Sequence, residues 1–546
     1  MDQHVFQQSL NTSDNDVPFK SRSYVFMNDN NNSSYSSGQV FFDLATLSNA
    51  NKYIDFQNSF ITMPLVLALQ TTGAAVLTGN VENAFALSLK NGVHHLIDSL
   101  SLQITNNGVV NSTQFSNLDI NYKIISQFSN DDAQVLKDTL LFGLDSVETI
   151  GFTGAASLNG IASTEYNNVI QTAAPSVAGG WGTQYSTQNQ GRLNRMRDTS
   201  FDPTSTNAAA FTGVNQCVSS IKNYVANSLS TASIIYHIMA VIPLRFLHPI
   251  FTALPLTKGI YATLVLNTNT QCNAAITIAG NAYTGCVLSM QHQTLPFMIS
   301  PNSAAGSTGL RCPAATTLNA SLAIAKSYDG QVNSTFYNSC RFYASCIEME
   351  ASHEEMYLTN LPSKVVKYND LLNFQTLSIG SNSSFSQVLT NQVARVRYLI
   401  GIPIIDTAAN GGINPMASPF TSCPGTCMPY ATITNFNVLL SGVQVYPANI
   451  SYGFESYMEE IRPSGSINGG LSIGMNSGLI SKGDWEIGYR YIVVDLSRKV
   501  SPADDNVGRS IQVIGTNSSP KTMTIQWIVA YEREICISTA TGNLIL

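Results

Sequence analysis

At 546 residues the chain is long enough for two or more domains of the usual ~100–200 residues. Only 11% of its residues are charged, against ~25% in an average soluble domain, and its formal net charge is −7. The polar surface is therefore built largely from Asn, Ser, Thr and Gln, which suits burial in a large assembly better than life as a free cytosolic enzyme. The acidic balance, with no run of Lys or Arg, argues against direct nucleic-acid binding, which needs a basic face.

The first thirty residues are polar and carry no secretory signal pattern. The longest apolar run, Ile234 to Leu244, is interrupted by His237 and is too short to span a bilayer. Nine cysteines, an odd number without metal spacing, read as mainly reduced core residues.

In chain order, residues 1–37 are Asn/Ser-rich with little periodicity and read as a flexible N-terminal arm. Order is expected from Val40-Phe41-Phe42, with strands at Tyr53 to Phe56 and Ile61 to Leu69. Leu100, Leu102 and Ile104 alternate with polar residues, and Asn106-Asn107-Gly108 predicts a tight turn, since Asn-Gly tolerates positive φ. Ser129 followed by Asp132, Val135, Leu136 and Leu140 predicts a capped helix. Residues 151–230, rich in Gly, Ala, Ser, Thr and Asn, read as an elaborated insertion, and 268–335 as a second irregular stretch. Strands are expected at Ser233 to Leu244, Ile260 to Leu266 and Arg341 to Met349, then a short acidic helix, Ser352 to Leu358.

Near the end, Tyr489 to Leu496 is apolar on both faces and predicts a strand interior to its sheet. Ile511 to Ile514 predicts a shorter strand. Met523, Ile525, Trp527, Val529 and Tyr531 alternate with mostly polar neighbours, the period of a half-buried antiparallel strand.

The landmarks repeat. Leu100 to Phe128 runs strand, turn at Gly108, strand, then Phe115 and Tyr122; Phe436 to Ile461 runs strand, turn at Gly442, strand, then Tyr452, Phe454 and Tyr457. Lys258-Gly259 before Thr263 to Leu266 matches Lys482-Gly483 before Tyr491 to Val494, and both halves end on a long alternating strand. Gly108 to Lys258 spans 150 positions but Gly442 to Lys482 only 40, so the first copy carries the extra residues. An all-β unit duplicated in tandem is the simplest account.

This tandem pair resembles the double jelly-roll major capsid proteins of adenoviruses (the hexon lineage), tailless membrane-containing phages, large DNA viruses of eukaryotes, virophages and polinton-like viruses. The stretches that carry the resemblance are Ile242-Pro243-Leu244-Arg245 through His248-Pro249-Ile250-Phe251 to Leu256, then Val494-Asp495-Leu496-Ser497-Arg498, and Ile525-Gln526-Trp527-Ile528-Val529. In size and texture it is most similar to the virophage and polinton-like group. The resemblance covers roughly residues 38 to 546. It implies an all-β fold of two tandem eight-stranded antiparallel jelly rolls, with short helices and with long loop insertions in the first. The expected organisation is an arm over 1–37, a first roll over 38–350 with insertions at 151–230 and 268–335, a linker over 351–364 and a second roll over 365–546.

It further implies a homotrimer forming a pseudo-hexagonal capsomer of an icosahedral shell, assembled in an infected cell and residing in the virion. The implied partners are other copies of the chain, a penton protein at the five-fold vertices and minor capsid proteins. The alternative is a carbohydrate-binding or host-attachment jelly roll. The sequence stops soon after its last strand, leaving no room for a further C-terminal domain of the kind that some virophage relatives cleave off.

Chemistry-bearing patterns point the same way. Gly470-Leu471-Ser472-Ile473-Gly474 matches a nucleophile elbow, but no histidine follows His353, so the usual order of a hydrolase triad is not met. His353-Glu354-Glu355 lacks the second histidine of a zinc-protease helix. His94 and His95, adjacent on an expected strand, would point to opposite faces and read as partly exposed structural residues. Cys423 and Cys427 have no partner pair, and Ser219-Ser220-Ile221-Lys222 lacks companion motifs. Trp485, Tyr489 and Tyr491 read as core rather than as a sugar platform. The chain is expected to be no enzyme, with no catalytic, cofactor-binding or metal site.

Overall fold

The computed structural model describes residues 19–32, 34–45, 47, 52–72, 85–89, 92–105, 107–111, 114–142, 220–227, 231–279, 282–289, 294–301, 316–324, 339–405, 431–461, 478–500 and 505–545. In the first half the strands are β1 (Phe19–Asn28), β2 (Gln39–Asp43), β3 (Tyr53–Thr72), β4 (Phe85–Leu89), β5 (Ile97–Ile104), β6 (Asn107–Asn111), β7 (Ser220–Asn227), β8 (Thr231–Pro243), β9 (Ala262–Thr268), β10 (Cys272–Ala279), β11 (Ala282–Ser289), β12 (Phe297–Pro301), β13 (Thr316–Ile324) and β14 (Arg341–Met349). The second half contributes β15 (Ser363–Ile379), β16 (Ser384–Val393), β17 (Val396–Ile405), β18 (Ile433–Leu440), β19 (Val443–Gln444), β20 (Ile492–Asp495), β21 (Arg509–Asn517), β22 (Met523–Ser538) and β23 (Leu544–Ile545).

The duplication is explicit in the pairing. In the second half one sheet runs β15-β22-β17-β20 and the other β16-β21-β18-β19. The first half repeats the first order as β1-β14-β3, with β8 beside β3, and the second as β2-β9-β5-β6. Every pairing is antiparallel, and each half is two such layers packed face to face, the jelly-roll arrangement.

Alternation decides which side of a strand is inside. Trp527 of β22 stacks on Phe436 of β18 with 6.3 Å between ring centroids, so it lies between the sheets and Ile528 faces outward. Gly401 of β17 is opposite Trp527, and a Cβ there would sit 2.5 Å from the indole Cζ3. In the first roll Phe342 of β14 meets Phe42 of β2 at 5.9 Å, which puts Tyr343 on the outer face. One apolar core runs through both rolls, with a small separate cluster of Tyr53, Leu256, Ile347 and Tyr357 under the helix Ala351–Asn360.

The capped helix is present at Asn130–Leu140, with Ser129 and Asp132 closing a capping box. Elsewhere the structure departs from the sequence expectations. The expected arm contains β1, which pairs with β14 over Phe19 to Asn28; its partner lies more than three hundred residues away, and nothing local announces it. The stretch 268–335, irregular in pattern, contains β10 to β13, short strands that pair with one another, with β3 or with β4. The two strands expected over 53–69 are one, β3, with a register shift opposite Tyr343/Ser345.

Asn107 and Gly108 belong to β6 rather than to the turn, because Ile104 faces Asn107 and Gln103 faces Gly108; Thr105 takes a positive φ of 51°. The counterpart Ser441-Gly442 loop has φ of 51° and 83°, the pair of positive values that a two-residue hairpin needs. Residues 489–496 shrink to the four-residue β20, which ends its sheet rather than lying inside it. It packs against the helix Phe454–Ile461, so it is apolar on both faces without a strand on each side. The sheet orders also shift the internal alignment. The strand after Lys258-Gly259 is β9, whose equivalent is β21, whereas the strand after Lys482-Gly483 is β20, whose equivalent is β8.

Candidate functional site

Among the described residues no group of three or more His, Cys, Asp or Glu is placed to hold a metal ion, and no helix is long and apolar enough to cross a membrane. His94 and His95 sit in a short 3-10 helix, Val93–Leu96, and both are buried rather than partly exposed. Asn121 and Asn117 hold them: His94 Nε2 lies 3.2 Å from Asn121 Oδ1, and His95 Nδ1 lies 3.4 Å from Asn117 Nδ2. His353 and Glu354 lie on the Ala351–Asn360 helix, where Glu354 accepts from Tyr53 Oη at 3.1 Å and pairs with Lys258. Trp485, Tyr489 and Tyr491 are buried, as core residues are. The Gly470–Gly474 pattern, Cys423, Cys427 and Ser219 lie outside the described residues. Cys272, Cys340, Cys346 and Cys536 are free thiols, the first three buried.

The chemistry of this chain gathers instead where the two rolls meet. On the outer face of the β15-β22-β17-β20 sheet lies the helix Ser116–Gln127 of the first roll. It follows a left-handed Phe115 (φ 68°), and its mixture of Ser, Asn, Asp and Lys hides it from periodicity. Asn121 Nδ2 donates to Tyr491 Oη at 3.3 Å, the Tyr122 and Tyr491 rings meet edge to face at 5.3 Å, and Leu479 N donates to Ile125 O at 2.8 Å. Asn373 of β15, on the face shared with Ile528, donates to Gln114 O just ahead of the helix. Tyr398 of β17 is buried on this seam, where desolvation and then the Asp119 carboxylate push its hydroxyl well above the ordinary range.

Farther along β15, on the face that it shares with Trp527, Asp370 is almost fully buried and is met from three sides. Arg533 Nη1 donates to Asp370 Oδ2 at 3.0 Å and to Val109 O of β6 at 2.7 Å. Tyr531 Oη donates to the same carboxylate oxygen at 3.3 Å, and Tyr368 donates to Val109 O. Leu371 N donates to Oδ1 at 2.9 Å, and His248 Nε2 approaches Oδ1 at 3.5 Å. Ile250 N donates to His248 Nδ1 at 3.2 Å, so the neutral ring carries its proton on Nε2, facing Asp370.

Burial holds His248 below the usual imidazole range despite the facing carboxylate. Burial works against the Asp370 carboxylate too, but His248, Arg533 and the Leu371 N–H outweigh it and keep the group below its ordinary value. The Asp370–Arg533 pair lies within the second roll; what seats the first roll on it is His248 facing the Asp370 carboxylate and the two donors, Arg533 and Tyr368, that meet Val109 O. A third contact closes the seam. The chain end turns at Gly542 (φ 67°), where a Cβ would lie 2.8 Å from Ile260 Cα, and Lys258 N donates to Thr539 O at 3.4 Å.

The sequence signals for this seam were faint. His248-Pro249 stood out only as a resemblance, and Asp370 was one acid in a run of strand residues. A charged side chain at an inward-facing strand position was the one available clue.

No protein-family model and no curated protein matches the chain. Among solved structures it is similar to a chain of the Sputnik virophage, determined by cryo-electron microscopy at 3.5 Å, with a TM-score of 0.50 and 13% identity over 98% of this chain and 90% of that one. It is also similar to the mavirus major capsid protein, with a TM-score of 0.40 and 8% identity over 98% of this chain and 93% of that one. The Faustovirus major capsid protein follows with a TM-score of 0.42 and 9% identity over 96% and 92%. At such identities the likeness to the Sputnik chain is one of fold, and the fold is the tandem double jelly roll drawn above.

Proposed function

We propose that this chain is the major capsid protein of an icosahedral virus, resident in the virion shell and assembled within the infected cell. Three copies associate as a capsomer whose six rolls present a pseudo-hexagonal outline. The observation that carries this reading is the seam. Two copies of one eight-stranded unit stand side by side on a continuous core, tied by His248 against Asp370 and by Arg533 and Tyr368 donating to Val109 O, which makes each chain a rigid two-lobed block.

The connections that grow in the first roll also support it. Strand β3 runs on beyond the end of β14, and β8 and β13 flank its upper part on either side. The added strands β13, β10 and β11 join the sheet along that same upper part of β3, as the base of an outward tower over a shell would. The partners on this reading are copies of the chain itself, a penton protein at the five-fold vertices and minor capsid proteins, with no direct contact to nucleic acid. The role is structural rather than catalytic.

The test is the mass and outline of the purified protein. Light scattering at micromolar concentration should give three times the chain mass, and negative-stain images should show hexagonal particles. A stable monomer without such particles would overturn the proposal.

A further inference from the structure

The two rolls differ in what covers the same face. In the second roll the outer side of β15-β22-β17 is buried: Leu371, Ile400, Ile528 and Ala530 are each 3% exposed or less, and the first-roll helices Ser116–Gln127 and Ile250–Ala253 lie against this sheet. In the first roll no described helix lies over the equivalent side of β1-β14-β3, which carries a strip of four aromatic rings. Tyr24 meets Phe60 at 5.6 Å, Phe60 stacks on Tyr343 at 4.8 Å, and Tyr343 meets Phe26 at 5.9 Å, with the Arg341 guanidinium 4.5 Å above the Phe26 ring. Tyr24 and Phe26 are 53% and 51% exposed. Aromatic residues with Arg, contiguous and rimmed by polar groups, are the composition of a protein–protein contact centre.

The helices are complementary in what they lack. Ser116–Gln127 buries ten of its 12 residues because it is clasped between its own roll and the next. The helix at the same place in the second roll, Phe454–Ile461, buries four of its 8, Phe454 and Tyr457 against Trp485 and Glu460 accepting from Asp495 N of β20. Its open side presents Glu455, which pairs with Lys482, and Glu459, and the rim of the bare strip carries Lys20 and Arg22, paired with Glu348 and Asp55, together with Arg341.

We infer that the strip Tyr24–Phe60–Tyr343–Phe26 is the docking surface for a second copy of this chain, whose Phe454–Ile461 helix covers it as Ser116–Gln127 covers the second roll. One contact is then made twice, once within the chain and once between chains. Both faces left open in the monomer are closed, and a head-to-tail interface of this type generates a ring. The inference rests on the self-assembly proposed above and names the surface that performs it.

The experiment compares the full chain with Y24E/F26E and with E455K/E459K by sedimentation velocity over a dilution series, with near-ultraviolet circular dichroism and melting as controls of folding. Both substituted pairs lie at the surface, so the folded protomer is retained. Y24E/F26E is expected to raise the dissociation constant by roughly 100-fold or more, and E455K/E459K by about tenfold. If the unaltered chain is a monomer throughout, the self-assembly reading itself fails, and this inference with it. If the unaltered chain assembles and Y24E/F26E assembles equally well, the strip is not the contact, and only this inference is overturned. Loss of assembly in Y24E/F26E with none in E455K/E459K would overturn the assignment of the Phe454–Ile461 helix as the occupant. Should the strip instead bind a glycan, an array would show selective binding that Y24E/F26E abolishes while the mass stays unchanged, which also overturns it.

Discussion

The second roll is the eight-stranded unit with little added, and the first is the same unit overgrown. Its β17 has 10 residues, whereas the equivalent β3 has 20 and serves as the spine for strands the second roll lacks. Residues 518–522 join β21 to β22, but 269–340 join β9 to β14, with four more strands between them. The pairings of the eight common strands are nevertheless the same. A frame whose register is set by long antiparallel ladders accepts added chain at its connections, because the entropy of closing a loop grows only slowly with its length. The comparison also separates two uses of one surface: the outer sheet of the second roll is sealed within the chain, and that of the first keeps exposed aromatic rings.

That contrast can be broken at several depths. The largest effect is expected from Trp527→Asp. Trp527 is fully buried, stacked on Phe436 and donating from Nε1 to Thr376 Oγ1 at 2.8 Å, so the substitution buries an unpaired carboxylate between the sheets. Because the core is continuous, both rolls should be lost together, with no soluble folded protein. A first roll that resists limited proteolysis in this variant would show that the two halves fold independently.

Next comes the seam. Asp370→Ala takes the carboxylate from the part-exposed Arg533 and removes the acceptor of Tyr531 and the buried partner of His248, and should destabilise the chain by about 3 kcal/mol in denaturant titration. A loss near zero would mean that the rolls are seated by apolar packing alone. Gly401→Ala should cost less, about 1–3 kcal/mol, because the added Cβ meets the Trp527 ring rather than open space. Gly442→Ala at the exposed hairpin, where nothing lies within 4 Å, should instead reflect only its positive φ, about 1 kcal/mol.

The smallest effect is a pH dependence. His248 is held below its ordinary value, so between its folded and unfolded pKa the unfolded chain binds more protons, and stability falls as pH drops below about 6.5. The Asp370 carboxyl is also held low, so its contribution persists above the ordinary carboxylate range and is lost only as pH falls through its lower folded value. Melting curves of His248→Gln should therefore lose the slope between about pH 7 and 5 while keeping the acid limb. An unchanged slope would place that titration elsewhere.

Much of the frame was legible from residues alone. The alternation of Met523 to Tyr531 predicted β22, the Ser129/Asp132 pair predicted a helix start, and the order of landmarks predicted a duplicated β unit. What escaped has a common cause. Strand β1 alternates Lys20, Arg22, Tyr24, Phe26 against Ser21, Ser23, Val25, Met27, so neither face is uniformly apolar; its strand character comes from β14. The helix Ser116–Gln127 lacks an apolar stripe because it is buried on more than one side. Tyr489 to Leu496 read as an interior strand for the same reason, being packed against the helix Phe454–Ile461 at the end of a sheet.

Local chemistry by itself determined the all-β class, the tandem repeat, the ladder-forming strands and the capped helix, since period-two alternation and capping hydrogen bonds act over a few residues. It also left no expectation of a catalytic centre. Tertiary structure alone decided which strands are neighbours, that Asp370, Arg533 and His248 meet across the seam, and that one sheet face is sealed while its twin keeps exposed aromatic rings. Those outcomes depend on contacts between residues tens to hundreds of positions apart, whose pairing is selected by burial and register in the assembled core rather than by any residue's own preference.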